Sequence, residues 1–266
     1  MIRALWSAAT GMDAQARNID VIANNLANVN TIGFKKSRAD FADLFYQELR
    51  GAGSSQFTNV VRPTGIEVGH GVSNVAVTRM FSMGDALETK NPLDCMLVDE
   101  GTARTFFAVQ TPTGVAYTRD GGFVLSENGD LVTKTGLQLQ PPITGIPTEY
   151  KGNVIIGTDG KVQYLDSANN VVDVGQIQVA TFINPSGLRA IGGNLLVETP
   201  ASGAAQVGTP GTDQFAPVES GFLEYSNVQA VEELINMIKS QRAYELNSRS
   251  VQTADEMLQT VSNLKR

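Results

Sequence analysis

The side chains that could do chemistry in this 266-residue chain are few and scattered. His70 is the only histidine and Cys95 the only cysteine, so neither a relay nor a metal site can be assembled from several imidazoles or thiolates. His70 lies between Gly69 and Gly71 and reads as a loop residue rather than a general base. Cys95 precedes Met96-Leu97-Val98 and reads as a buried strand residue, since an activated thiolate needs an electropositive, partly exposed setting. No nucleophile elbow, phosphate-binding P-loop or dinucleotide-binding glycine pattern occurs. Asn128-Gly129-Asp130 and Asp159-Gly160 resemble fragments of calcium loops, but without the remaining ligands they read as hairpin turns. Catalysis is therefore not expected, and neither is a metal or a cofactor.

Composition narrows the remaining classes. With 42% hydrophobic and 18% charged residues, the chain is globular rather than disordered. Its formal charge of −7 argues against a nucleic-acid binder, which needs clustered Lys and Arg to neutralise phosphates. The two ends are electrically neutral. Arg3 and Arg17 balance Asp13 and Asp20 at the start, and Lys239, Arg242, Arg249, Lys265 and Arg266 balance Glu232, Glu233, Glu245, Asp255 and Glu256 at the finish. Neutral ends suit packing against many copies, because like-charge repulsion does not accumulate. One cysteine excludes an intrachain disulfide. No apolar run of about 18 residues is present, so no membrane insertion is expected. The opening residues lack the continuous apolar region of a cleavable signal, so none is expected.

The elements that position everything else are expected at the two ends. From Met1 to about Asn28 only Gly11 interrupts good helix formers, and Leu5, Met12, Ile19 and Leu26 recur every seven residues. Ile2, Ala9, Ala16 and Ala23 form a second line of mostly small residues beside that stripe. At the far end Met237, Tyr244, Val251 and Leu258 recur by sevens, joined by Leu234 and its apolar neighbours. Ser226 and Gln229 are spaced as a capping box for this second helix, and Lys265 and Arg266 are placed to complement the negative end of its dipole. Neither helix can bury its stripe alone, so the two are expected to pair. A stripe at helical spacing shows only that a helix packs, however; it does not say against what.

Between them the pattern is β. Thr105–Gln110 and Gly114–Thr118 flank a Pro-Gly turn, Phe123–Leu125 and Leu131–Thr133 flank Asn128-Gly129, and Val154–Ile156 and Lys161–Tyr164 flank Asp159-Gly160. Further short strands are expected at Val72–Val77, Val171–Val174, Gln176–Phe182 and Asn194–Glu198. Residues 46–71 show little periodicity and are expected to run as an extended arm or loop.

After the first helix the chain reads Ala23-Asn24-Asn25-Leu26-Ala27-Asn28-Val29-Asn30-Thr31-Ile32-Gly33-Phe34-Lys35. Asn28 and Asn30 favour ending a helix, and Gly33 can turn the chain sharply. As a string, with Asn24, Asn25, Asn28, Gly33 and Phe34 as its marks, this closely resembles the N-terminal signature of the flagellar rod and hook family. Glu233–Ile238, Gln241–Glu245, Asn247-Ser248 and Thr253–Leu258 resemble that family's C-terminal helix, and Ala116–Gly121 its β-domain. The resemblance spans essentially the whole chain. One stretch departs from the pattern: Asp94–Phe107 is longer than usual and lacks paired glycines before Phe106, so a longer hairpin or bulge is expected there.

The resemblance implies a fold class of mixed α and β: long N- and C-terminal helices (1–45 and 226–266) pairing as a coiled-coil inner domain, an arm (46–71), and a β-rich, mostly antiparallel outer domain (72–225). Within the family, the length and the Gly65–Val72 segment are most like the distal-rod members. It further implies a self-assembling helical tube that transmits torque to the hook. The expected partners are other copies, proximal rod and hook proteins, and ring proteins around a periplasm-spanning rod reached by export without a cleavable signal. A proximal rod or hook subunit is the alternative within the family, and a soluble β-rich binding protein the alternative outside it.

Overall fold

The structure is a computed structural model describing residues 2–51, 55–57, 60–61, 64–99, 101, 104–167, 170–212 and 214–264. It combines an N-terminal helix α1 (Ile2–Ala27), a β-rich middle and a C-terminal helix α2 (Ala230–Leu264). The chain divides into two compact units and crosses between them four times. Unit 1 comprises residues 1–27, 37–78 and 229–266, and unit 2 comprises 28–36 and 79–228.

Unit 1 holds the two helices, which pack against each other, and six strands. These are β1 (Ser37–Asp43), β2 (Tyr46–Arg50), β3 (Ser55–Phe57), β4 (Val60–Val61), β5 (Ile66–Gly69) and β6 (Val72–Arg79). β1 pairs with β6, β2 with β5, and β3 with β4, so the described part of residues 46–71 forms antiparallel pairs. Ala52–Ser54 and Arg62-Pro63, part of that arm, lie outside the described residues.

α2 begins at Ala230, and the expected capping box does not form. The Ser226 hydroxyl instead accepts a bond from the Val228 N–H, 3.3 Å away. The next residue, Asn227, is held by three backbone groups of other segments, which keeps residues 226–228 out of the helix. At about 1.5 Å per residue, α2 is about 52 Å long. Lys265 and Arg266, expected at its negative end, lie outside the described residues.

Unit 2 is built from β7 (Ala86–Glu88), β8 (Cys95–Leu97), β9 (Thr105–Thr111), β10 (Gly114–Thr118), β11 (Phe123–Leu125), β12 (Leu131–Thr133), β13 (Val154–Ile156) and β14 (Lys161–Leu165). It continues with β15 (Val171–Gln176), β16 (Val179–Thr181), β17 (Arg189–Gly192), β18 (Leu195–Val197), β19 (Gln206–Gly208), β20 (Val218–Ser220) and β21 (Phe222–Glu224). Its main sheet runs β17-β18-β10-β9-β16-β19, with every described pairing antiparallel. The three expected hairpins form as β9–β10, β11–β12 and β13–β14.

β9 is central and covered on both faces, which explains its unbroken Phe106-Phe107-Ala108-Val109 run. Alternation sends Phe107 and Val109 to one face and Phe106 and Ala108 to the other. Phe107 meets Phe123 edge-on at 5.1 Å within a core that includes Leu93, Leu97, Ile143, Ile146 and Val179. Phe106 meets Phe81 and Phe182, at 5.3 and 5.8 Å, in a second cluster with Tyr117 and Leu196.

Two expectations in this unit are corrected. The Asp94–Phe107 stretch is not a longer hairpin: β8 pairs with the distant β20, while Asp99 turns inward to bind Arg119. Glu100, Thr102 and Ala103 of that stretch lie outside the described residues. The single strand expected over Gln176–Phe182 is two, because β15 stays with β14 while β16 joins β9 in the other sheet.

Candidate assembly surface on the terminal helices

Within unit 1 the two helices meet along a line of polar and small residues. The Asn25 amide donates to the Glu233 carboxylate at 3.2 Å, and the Asn18 amide donates to the Ser240 hydroxyl at 2.8 Å. One further step of seven places Gly11 against Asn247, whose amide nitrogen would lie 2.8 Å from a Cβ on Gly11. Each step of seven up α1 thus matches a step of seven down α2, so the pair is antiparallel and its register is specified by side-chain bonds. Asn25 is 2% exposed and Glu233 4%. Polar groups buried at such positions cost stability in general but select one register, because any other leaves them unpaired.

Asn25 does more than hold α2. Its side chain also donates to the Ser37 carbonyl (2.8 Å) and accepts from the Ser37 N–H (2.9 Å), fixing the start of β1 to α1. The Thr10 hydroxyl similarly receives the Val72 N–H at 3.4 Å, and Gly71 lies so close that a Cβ there would overlap it.

The expected stripe lies beside this line, one residue along on α1 and, from Met237 onward, four residues along on α2. Leu5, Met12, Ile19 and Leu26 are half-buried, as are Met237, Val251 and Leu258, whereas Leu234 and Tyr244 are exposed. The small residues buried on α1 are Ala8 and Ala14, with Ile22, rather than Ala9 and Ala23, which are exposed. α2 turns Val231 (70% exposed), Ile235, Ile238 (51%), Leu246, Met257 and Val261 to solvent, and α1 does the same with Trp6 (68%). Apolar side chains exposed in such number on one helix mark a surface made for contact.

Of the motif residues, Asn24 is exposed and Asn25 is the helix clamp just described. Asn28 accepts the Thr31 hydroxyl at 3.1 Å, Phe34 is half-buried, and Gly33 is buried at φ +68°, in the left-handed region that favours glycine. Sequence reasoning missed the Gly11, Asn18 and Asn247 positions. The signal that finds them is a small or polar residue every seventh position at 4, 11, 18 and 25 and at 233, 240, 247 and 254.

It also missed a buried charge cluster in unit 2. The Lys35 ammonium pairs with Glu224 and donates to the Ser82 carbonyl at 2.7 Å. Arg119 pairs with Glu224 at 3.2 Å and with Asp99, and lies over the Phe106 ring at 5.3 Å. All four charged side chains are essentially solvent-free. Burial pushes the Lys35 ammonium below the ordinary lysine value, an effect the Glu224 carboxylate opposes and the Arg119 charge reinforces. Paired two against two, the cluster holds the motif segment in unit 2, where losing one partner strands a buried charge at a cost of about 3–5 kcal/mol.

Known proteins match this chain from end to end. The flagellar basal-body rod protein FlgG of Borreliella burgdorferi is 45% identical over the full length of both chains. That of Caulobacter vibrioides is 44% identical over 99% of this chain and all of its own, and that of Bacillus subtilis 39% over all of both. The chain belongs to the flagellar basal-body rod protein family. Family models agree: flagella basal body rod protein matches residues 5–35, the flagellar hook protein FlgE/F/G D1 domain 102–164, and the flagellar basal body rod FlgEFG protein C-terminal region 219–264. The Helicobacter pylori flagellar hook protein FlgE is 35% identical, but over 71% of this chain and 26% of its own length. A rod protein is structural, and the chain is not an enzyme. None of its helices, among the described residues, is long and apolar enough to cross a membrane.

Proposed function

We propose that this rod protein is the distal-rod subunit and polymerises through the apolar residues its terminal helices turn to solvent. The observation that carries the reading is the division of labour around α2. The polar line of Glu233, Ser240 and Asn247 faces α1, while Val231, Leu234, Ile235 and Ile238 remain uncovered. Covering them with helices of neighbouring copies would extend the pair into the coiled-coil lining of a helical tube. In that reading Leu5, Met12, Ile19, Leu26, Leu234, Met237, Tyr244, Val251 and Leu258 flank the contacts between copies, and residues 46–71 reach neighbouring subunits. Proximal rod and hook proteins adjoin the tube's ends and ring proteins surround it in the periplasm. Distal placement draws support from full-length matches to basal-body rod proteins, against a hook protein matched over about a quarter of its length.

The test is the double variant Leu234→Asp/Ile238→Asp. Both positions are exposed, so the monomer should keep its circular dichroism and melting temperature. The wild type should sediment as polymers above a threshold concentration, while the variant stays monomeric because each aspartate would have to be desolvated at the contact. Polymerisation of the variant at the wild-type threshold would remove this face from the assembly surface.

A further inference from the structure

Three of the four chain crossings adjoin segments of unit 2 that are far apart in sequence but hydrogen-bonded to one another: after Lys36, before Arg79 and after Val228. Two side chains of the last segment bond both of the others. Asn227 accepts the Lys36 N–H through its carbonyl oxygen (2.7 Å) and donates through its amide to the Met80 carbonyl (2.9 Å), with the Ser82 carbonyl and hydroxyl at 3.2 and 2.9 Å. Deeper in the unit, Glu224 takes the Lys35 ammonium and the Gly84 N–H (2.9 Å) on one carboxylate oxygen and Arg119 on the other. The backbone adds Met80 N–H to Lys36 carbonyl at 2.9 Å and Gly33 N–H to Glu224 carbonyl at 2.8 Å.

We infer that Asn227 and Glu224 are positioning residues that bind these three crossing segments into one clamp, so that load passing along the rod enters and leaves unit 2 through it. The inference rests on the rod reading for its load and on the hydrogen bonds alone for its clamp. The chemistry at residue 227 is specific. The Lys36 N–H requires an acceptor and the Met80 and Ser82 carbonyls require a donor, so only an amide in one orientation serves all three. A carboxylate of the same shape would keep the Lys36 bond and face the two carbonyls with a like-charged oxygen.

Asn227→Asp is therefore the test, with Gln163→Ala on β14 as the control. In the monomer the Lys36 and Met80 amides keep their own acceptors and exchange when the three segments part, so losing the Asn227 bond to the Met80 carbonyl should quicken native-state hydrogen exchange at both about tenfold, the effect of one hydrogen bond's net contribution. The control should leave them unchanged. Assembled variant rods should form at the wild-type concentration, since the helices are untouched, and should show at least a halving of persistence length in electron micrographs. Unchanged exchange at Lys36 and Met80 would overturn the clamp. Faster exchange with unchanged persistence length would overturn its mechanical role. A wild type that never polymerises would overturn the rod reading while leaving the exchange result to decide the clamp.

Discussion

Gly33→Ala tests how tightly the motif is seated. Gly33 sits at φ +68° with its N–H bonded to the Glu224 carbonyl at 2.8 Å. A Cβ there would lie 2.6 Å from the Asp120 nitrogen and 2.8 Å from the Arg119 carbonyl carbon, both backbone atoms. The left-handed conformation costs an alanine about 1 kcal/mol. Overlap with backbone that cannot rotate away adds about 2 kcal/mol, in the middle of the range for overpacking. The total of about 3 kcal/mol corresponds to a fall of about 6–12 °C in melting temperature for a domain of this size. Gly136→Ala is the matched comparison, because Gly136 has φ +83° and nothing within 4 Å of the new methyl. It should lose only the conformational part, about 2–4 °C. Calorimetry on both variants measures the difference directly. Equal losses would show that the Asp120 backbone yields freely and that the close approach at Gly33 stabilises nothing.

Two further outcomes follow from other sites. Gly11→Ala should be tolerated, since the methyl meets only the movable end of Asn247 and removing a helical glycine recovers about 1 kcal/mol, whereas Gly11→Leu should part the helices and speed amide exchange through the first half of α1 about tenfold. Burial, with the Asp94 carboxylate adding to it, pushes the Cys95 thiol up to about 12 from an ordinary value of 9.0, so it should resist iodoacetamide at pH 8 in the folded protein and react in urea. Because the folded value is the higher one, its contribution of about 4 kcal/mol is complete below pH 9 and declines as pH rises toward 12. Urea titrations should therefore show the wild type weakening faster than Cys95→Ala between pH 9 and 11.

The hairpins were legible because their information is local. Gly129 and Gly160 stand at φ +81° and +76° in turns that join strands only a few residues apart, so turn chemistry names both the bend and the partners. β7 with β21 and β8 with β20 were not legible, since each joins three-residue strands from opposite ends of unit 2 and nothing local identifies the partner. The helix seam was half legible. Apolar spacing by sevens revealed two helices that pack, but hydrophobic periodicity records what could be buried, and the line facing α2 within the chain is Gly11, Asn18 and Asn25. The charge cluster escaped because Lys35, Asp99, Arg119 and Glu224 are each unremarkable polar residues until tertiary structure removes water from all four.

The antiparallel seam also dictates an order of events. A chain made from its first residue produces α1 long before α2 exists, and Asn18 and Asn25 wait with water as their partner until the last segment arrives. Closing the helix pair directly would mean gathering both ends of the polypeptide across its entire middle, with the loop-closure entropy that entails. Unit 2 removes most of that cost if it forms first, because its own bonds bring together Lys36, nine residues after α1 ends, and Asn227, three before α2 begins, and so shorten the loop that remains to be closed. The helix pair then forms as an intramolecular step at high effective concentration. The β-rich unit is, in this sense, a folding template for the helices, and the exposed apolar face of α2 appears only on a chain whose other half is already complete.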